Sequence, residues 1–363
     1  MTVNLASRPA LRHHNAFDAL RIIAALAVLY SHSFALYGLP EPAPLAGQTL
    51  GSLAVALFFS LSGYLVCQSW CSDPDVLRFT MRRALRIFPG LIVVVLMTAC
   101  VIGLLVTNLS ATEYLQSAEV YHFIVKGVLA LGSPTLPGVF DQNPYPGTTN
   151  GSLWTLRYEI IMYIVLALTG KFFGRNHFRW ACPLMFCVCA LTWALAAYVG
   201  AKNVQIPLVW HVTELYLDRI AYLGAFFFAG ACMLIYLDRV FLSRFAAIVA
   251  VGAVAFVPSP TIVMIMLWLI VPYVVCTIAF RSPDWMTKAN GYDYSYGIYI
   301  YAFPIQQIFS LVGSQHRWTW LSVLASSALV TFLAAAASWY YVEKPALSFK
   351  HLIARVRVAP TAA

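Results

Sequence analysis

Two ionisable residues, Arg21 and His32, lie inside the first long apolar stretch of the chain, from Phe17 to Tyr37. Eleven residues is about three helical turns, so the two side chains share one face, roughly 16 Å apart along the axis. A guanidinium and an imidazole on one stripe of a hydrophobic helix are costly in lipid, and such residues mark a protein-lined, functional setting. With an ordinary pKa near neutrality, His32 suits proton removal from a hydroxyl, whereas Arg21 stays charged and binds anions or braces other groups. Asp18, three residues before Arg21, can pair with it on the same face and lower the cost of admitting the cation. A packed interhelical histidine fits the same position, and spacing alone leaves both readings open.

Three further segments carry chemistry. In Arg82-Arg83-Ala84-Leu85-Arg86-Ile87-Phe88-Pro89, Arg83 and Arg86 fall on one helical face, and Pro89 suits an early turn of the third span. Guanidinium forks match phosphate oxygens, so Arg83 and Arg86, with Arg82 beside them, are candidates to hold a nucleotide-bearing donor such as a coenzyme A thioester. Positive-inside anchoring explains the same arginines. In Phe58-Phe59-Ser60-Leu61-Ser62-Gly63-Tyr64, the small Ser62 and Gly63 admit either another backbone or a slender substrate arm. In the segment from Asn150 to Glu159, Arg157 and Glu159 are two apart and point to different faces. Glu159 lies at a depth comparable with His32, where it can orient the imidazole, stabilise its cation or hold a sugar hydroxyl. A structural salt bridge to Arg219 is the competing reading. Trp154, Arg157 and Arg219 are the candidate acceptor-binding residues, with Trp154 offering a ring to stack on a sugar.

The elements that must position these residues are membrane helices. Of 363 residues 61% are hydrophobic and 10% charged, a profile that excludes an ordinary soluble domain. Windows long enough to span recur at 17–37, 51–70, 87–107, 152–170, 180–199, 218–237, 242–257, 261–280, 293–312 and 320–341, the seventh being short. The expectation is an all-α, polytopic integral membrane protein of about ten transmembrane helices. With the connections assigned alternately, seventeen Lys and Arg fall on one side and only Lys126, Lys202 and Arg317 on the other. That asymmetry puts both termini in the cytoplasm. The net charge of +9 is therefore a topology signal rather than a nucleic-acid footprint. The eight cysteines read as small apolar residues. Neither Cys67/Cys71 nor Cys187-x-Cys189 has the partner pair of a zinc site, so no metal is expected. The first apolar run is long and carries Arg21 and His32, which favours an uncleaved helix over a signal peptide. The segment 108–151, rich in Pro, Gly and Asn, reads as an extracytoplasmic loop, either a lid or a connector, with a short surface helix over Glu119–Leu131. A single transmembrane domain over 1–363 is expected, with cytoplasmic segments at 1–16 and 343–363 and no fused soluble domain.

Taken in order, these motifs resemble the membrane-bound acyltransferase family 3. The resemblance rests on DALR at 18–21, the Arg-x10-His spacing of Arg21 and His32, FFSLSGYL at 58–65 and RRALRIFP at 82–89. It continues through SLWTLRYE at 152–159, SYGIYIY at 295–301 and VEKP at 342–345, covering nearly the whole chain. The resemblance implies a ten-helix enzyme of the exopolysaccharide or lipopolysaccharide O-acetyltransferase kind. Such an enzyme takes an acyl group, usually acetyl from cytoplasmic acetyl-CoA, and passes it to a carbohydrate hydroxyl. Carried over by position, His32 is the catalytic histidine, Arg21 its motif partner, and Arg83 with Arg86 the donor-binding pair. Relatives often carry a histidine where this chain has Ala302, so that residue's role does not transfer.

The resulting expectation is an O-acyltransferase of the bacterial inner membrane, with His32 as general base and a transient acyl-histidine as the alternative route. Acetyl-CoA serves as donor substrate and no cofactor is held permanently. The expected partners are a glycan or lipid-linked saccharide acceptor, membrane lipids and the machinery of polysaccharide biosynthesis, with no nucleic acid. The rival class is a transporter or flippase using the same polar stripe as a pathway; dependence of acetyl-CoA binding on Arg83 and Arg86 separates the two. A catalytically silent sensor or scaffold is a third reading.

Overall fold

The computed structural model describes residues 16–45, 47–132, 135–200, 203–206, 215–287, 291 and 293–350. These form a helical bundle, and eight of the described helices are long and apolar enough to cross a membrane. In chain order the main elements are α1 (Phe17–Leu36), α2 (Leu50–Ser72), α3 (Val76–Met97), α4 (Ala111–Gln116), α5 (Ala118–Val128) and α6 (Trp154–Tyr198). Then follow α7 (Leu217–Tyr236), α8 (Arg244–Val254), α9 (Pro260–Arg281), α10 (Ser295–Gln315), α11 (Trp320–Ser338) and α12 (Lys344–Ser348). The windows expected at 152–170 and 180–199 are the two arms of α6, broken at Gly174, whose φ of 62° lies in the left-handed region that glycine tolerates. Two of the ten expected spans fall outside the eight. Helix α8 has only 11 residues. Helix α10 is long enough at 21 residues, but buried Gln306 and Gln307 make it less apolar than its neighbours.

Packing runs in series. Helix α7 lies between α6 and α2, α2 packs on α1, and α1 on α10, which in turn packs on α11. Helix α7 is buried on all sides from Leu223 to Ala231, as expected for an all-round hydrophobic helix at the centre of a bundle. It approaches α2 so closely that a Cβ on Gly63 would stand 1.8 Å from the carbonyl oxygen of Phe227, and one on Gly230 2.0 Å from that of Ser60. Without a hydrophobic drive between helices in lipid, close backbone contact of this kind supplies the packing energy. Gly63→Ala is therefore expected to force α2 and α7 apart and cost about 1–3 kcal/mol, read as a lowered thermal unfolding midpoint of the detergent-solubilised protein.

Helix α3 begins at Val76, capped by the Asp75 carboxylate on the Arg78 amide at 2.8 Å. Pro89 consequently lies in mid-helix rather than at an early turn, which corrects the expected placement. Farther along, α3 widens into a π-turn at Thr98–Ile102 and ends with Gly103–Val106. The buried Tyr114 hydroxyl of α4 donates to the Ala99 carbonyl at 2.7 Å. A Cβ on Gly103 would collide with that hydroxyl at 1.9 Å. A second π-turn, Trp339–Glu343, joins α11 to α12 and turns Glu343 into the bundle. Single π-turns inside helices tend to re-aim functional side chains. In the 108–151 segment, α5 is the expected surface helix, ending at Val128, with Tyr121 and Val125 exposed and its buried face setting Gly127 against Val95 of α3.

Candidate active site

Three guanidiniums, on Arg21 of α1 and on Arg83 and Arg86 of α3, line two adjoining cavities. The outer cavity, open to solvent, is bordered also by Asp18, Gln68, Asp293 and Lys350. The inner, narrower cavity reaches between α2, α6 and α10, where Ser62, Thr155, Glu159, Tyr163, Tyr296 and Tyr299 line it. The arginines thus form a collar between a charged vestibule and a pocket of hydroxyls and rings. Helical spacing explains the collar: Arg83 and Arg86 are three apart on α3, and Arg21 stands on the face of α1 that also carries His32.

The collar is held by carboxylates from distant parts of the chain. Asp293, just before α10, takes Arg21 at 3.0 Å and Arg86 at 2.5 Å, and Ser295 donates its hydroxyl to the other carboxylate oxygen. Glu343, 2% exposed on its side chain, lies 3.5 Å from Arg86 and accepts from Ser338 at 3.0 Å. Asp18 stands 3.7 Å from Arg21, so the expected pair forms, but Asp293 is the nearer partner. Arg83 differs. Among the described residues it has no carboxylate within 4 Å; it lies over the rings of Phe79 and Tyr163 and reaches Ser69 at 3.5 Å. Its Nε is buried with no hydrogen-bond partner. A desolvated guanidinium in that state is a ready anion ligand.

The remaining candidates separate into different places. Arg82 binds Asp73 at 2.6 Å beside Arg78, bracing the turn between α2 and α3, and lines neither cavity. Ser62 faces the inner pocket and donates to Glu159 at 2.9 Å. Gly63 does not line it, because α7 backbone occupies the close approach considered for a substrate arm. Glu159 accepts from Ser62 and from Tyr163, and no hydrogen bond joins it to His32 or salt bridge to Arg219 among the described residues. Its orientation on α6 toward α2 and the arginines therefore replaces the expected orientation toward the imidazole. The Arg219 guanidinium lies over the rings of Trp154 and Tyr216 at 5.4 and 4.6 Å. Arg157 is buried and donates to the carbonyls of Trp154 and Leu131 at 3.1 and 3.3 Å. Backbone contacts of this kind make Arg157 a brace between α6 and the 108–151 segment.

His32 is outside both cavities described above. Its ring stands edge-on to Phe303 of α10 at 5.1 Å, and its buried Nδ1 has no hydrogen-bond partner among the described residues. Gln306, one turn beyond Phe303, donates to the Leu29 carbonyl at 2.8 Å while its own carbonyl oxygen is buried without a partner. Ser31, next to His32, bonds the Glu41 carboxyl and accepts from the Gly51 amide at 2.8 Å. Burial raises the Glu41 pKa above its usual range, against opposing hydrogen bonds from Thr49 and the Gly51 backbone. Ala302 packs instead with Ala25, Leu29, Ile298 and Ala335.

The residues missed at the level of sequence are Asp293, Tyr163, Gln306, Glu343 and Lys350. A usable signal existed for the acids: the chain has only 14 Asp and Glu, and one placed beside an apolar run requires a partner.

Together the bundle and its charged collar define a polytopic membrane protein with a binding pocket inside the membrane-length helices. The chain belongs to acyltransferase family 3, whose acyltransferase domain matches residues 14–340, and it is accordingly a membrane acyltransferase. It is similar to an O-acetyl transferase of Shigella phage Sf6, 31% identical over 343 residues that cover 91% of this chain and 95% of the relative. It is also similar to Nodulation protein 10 of Rhizobium leguminosarum bv. viciae, 27% identical over 377 residues covering 94% and 96%. No solved structure matches.

Proposed function

We propose that this acyltransferase is an O-acetyltransferase of the bacterial inner membrane that moves acetyl from cytoplasmic acetyl-CoA to a hydroxyl of an exported glycan. The observation that carries the reading is the arginine collar shared by a solvent-open vestibule and a narrower inner pocket. A nucleotide thioester matches that shape. Its phosphates stay among the guanidiniums, outside the costly apolar interior, and only the thin neutral arm enters. The similarity to an O-acetyl transferase supports acetyl transfer to oxygen.

His32 lies roughly 16 Å beyond Arg21 along α1. It acts as the general base: its imidazole removes the proton from the acceptor hydroxyl as the oxygen attacks the thioester carbonyl, and the coenzyme A thiolate leaves. The unpartnered Nδ1 offers that hydroxyl a proton acceptor. Glu159 holds Tyr163 and Ser62 around the donor arm, and Trp154 and Arg219 border the acceptor side. Mass spectrometry of surface glycans from deletion and His32→Ala strains tests the whole reading, because loss of one acetyl mass reports donor group and acceptor together. Unchanged glycan mass in both strains overturns it.

The arginines give a second test. Arg83→Gln is expected to weaken coenzyme A binding about tenfold or more with little loss of stability, since no carboxylate among the described residues depends on it. Arg86→Gln is expected to lose both binding and stability, because Asp293 and Glu343 then stand short of a partner. Calorimetric titration with coenzyme A, alongside thermal unfolding, separates the two effects.

A further inference from the structure

Lys350 lies beyond the family match, which ends at residue 340, and beyond the last motif at 342–345. The second π-turn and α12 nevertheless return it to the vestibule wall, facing Arg21, Arg83 and Arg86. Among the described residues it makes no salt bridge, although Asp18 and Asp293 border the same cavity. Asp293 is taken up by two arginines, so its charge is already answered. An ammonium at the outer rim of an arginine-lined cavity, without a carboxylate of its own, is poised for an anionic ligand.

Position narrows the ligand group. The collar arginines line both cavities, whereas Lys350 lines the vestibule alone. In coenzyme A the diphosphate adjoins the pantetheine arm and the 3′-phosphate lies at the far, adenosine end. With the arm in the inner pocket, the diphosphate reaches the collar and the 3′-phosphate the rim. Resting on the donor reading above, we propose that Lys350 binds the 3′-phosphate of coenzyme A and gives the enzyme its preference for the phosphorylated donor.

Charge in the vestibule makes this contact pH-dependent. Burial, then Arg83, Arg86, Arg21 and Arg82, push the free Lys350 amine down to about 8. Asp18, Asp293 and Tyr64 are the other titratable groups facing the cavity. The amine is therefore charged below pH 8 and loses its charge above it, so affinity for the phosphate falls as pH rises through that range. A bound phosphate opposes the loss by favouring the ammonium.

The test is equilibrium binding of coenzyme A and 3′-dephospho-coenzyme A to the full-length protein in detergent, at pH 7 and pH 9. The wild type is expected to prefer coenzyme A about tenfold at pH 7 and to lose much of that preference at pH 9. Lys350→Gln is expected to bind both ligands alike, at the wild-type affinity for the dephospho form, and Lys350→Arg to keep the preference at both pH values. A Lys350→Gln protein that retains the wild-type preference overturns the assignment and leaves the donor reading standing. A wild type that binds neither ligand overturns the donor reading, and the assignment falls with it.

Discussion

His32→Ala is expected to cut acyl transfer sharply while leaving coenzyme A binding within a factor of about two, since His32 lines neither donor cavity. The rate loss corresponds to removal of a positioned general base, about 10²–10⁴-fold in kcat. The stability lost is that of the edge-on Phe303 contact, because among the described residues Nδ1 has no hydrogen-bond partner to lose. Donor binding by calorimetry and glycan acetylation by mass spectrometry read the two halves separately. An active His32→Ala enzyme removes both the general-base and the acyl-histidine mechanisms. A labelled acyl group trapped on His32 removes only direct transfer.

The largest structural effect is expected at Asp293. One carboxylate there answers Arg21 and Arg86 together, inside a collar that also holds Arg83. Asp293→Ala leaves two partly buried guanidiniums short of their counter-charge, at a cost of about 3–5 kcal/mol. A sharply lowered thermal midpoint and poor recovery of folded protein are the expected results. Arg83→Gln, by contrast, is expected to unfold near the wild-type temperature. Equal stability of the Asp293→Ala protein would show that the collar stands without its carboxylate.

The two expectations rest on different kinds of legibility. Arg83 and Arg86 were readable as a pair because three residues on a helix always share a face. Pro89 was misplaced because the charged first turns of α3, from Val76, are not apolar enough to be read as part of a span. Gly63 was readable as a close-approach site, but not what approaches it; the Phe227 carbonyl comes from a helix more than 150 residues away. Glu159 shows the same limit. Its depth was legible from the span boundary, whereas its partners, Ser62 and Tyr163 rather than His32 or Arg219, depend on how α6 is rotated against α2.

Sequence alone determined that this is a helical membrane protein, that Arg21 and His32 lie on one stripe, and that an ordered set of acyltransferase motifs runs along it. Local rules suffice for these, since hydropathy, helical period and motif order are properties of neighbouring residues. Only the tertiary structure decided which carboxylate answers which arginine, that Arg83 stands without one among the described residues, and that Lys350 returns to the same vestibule. Those facts depend on the crossing and rotation of helices far apart in the chain. Close packing allows few such arrangements, but no local pattern specifies which one forms.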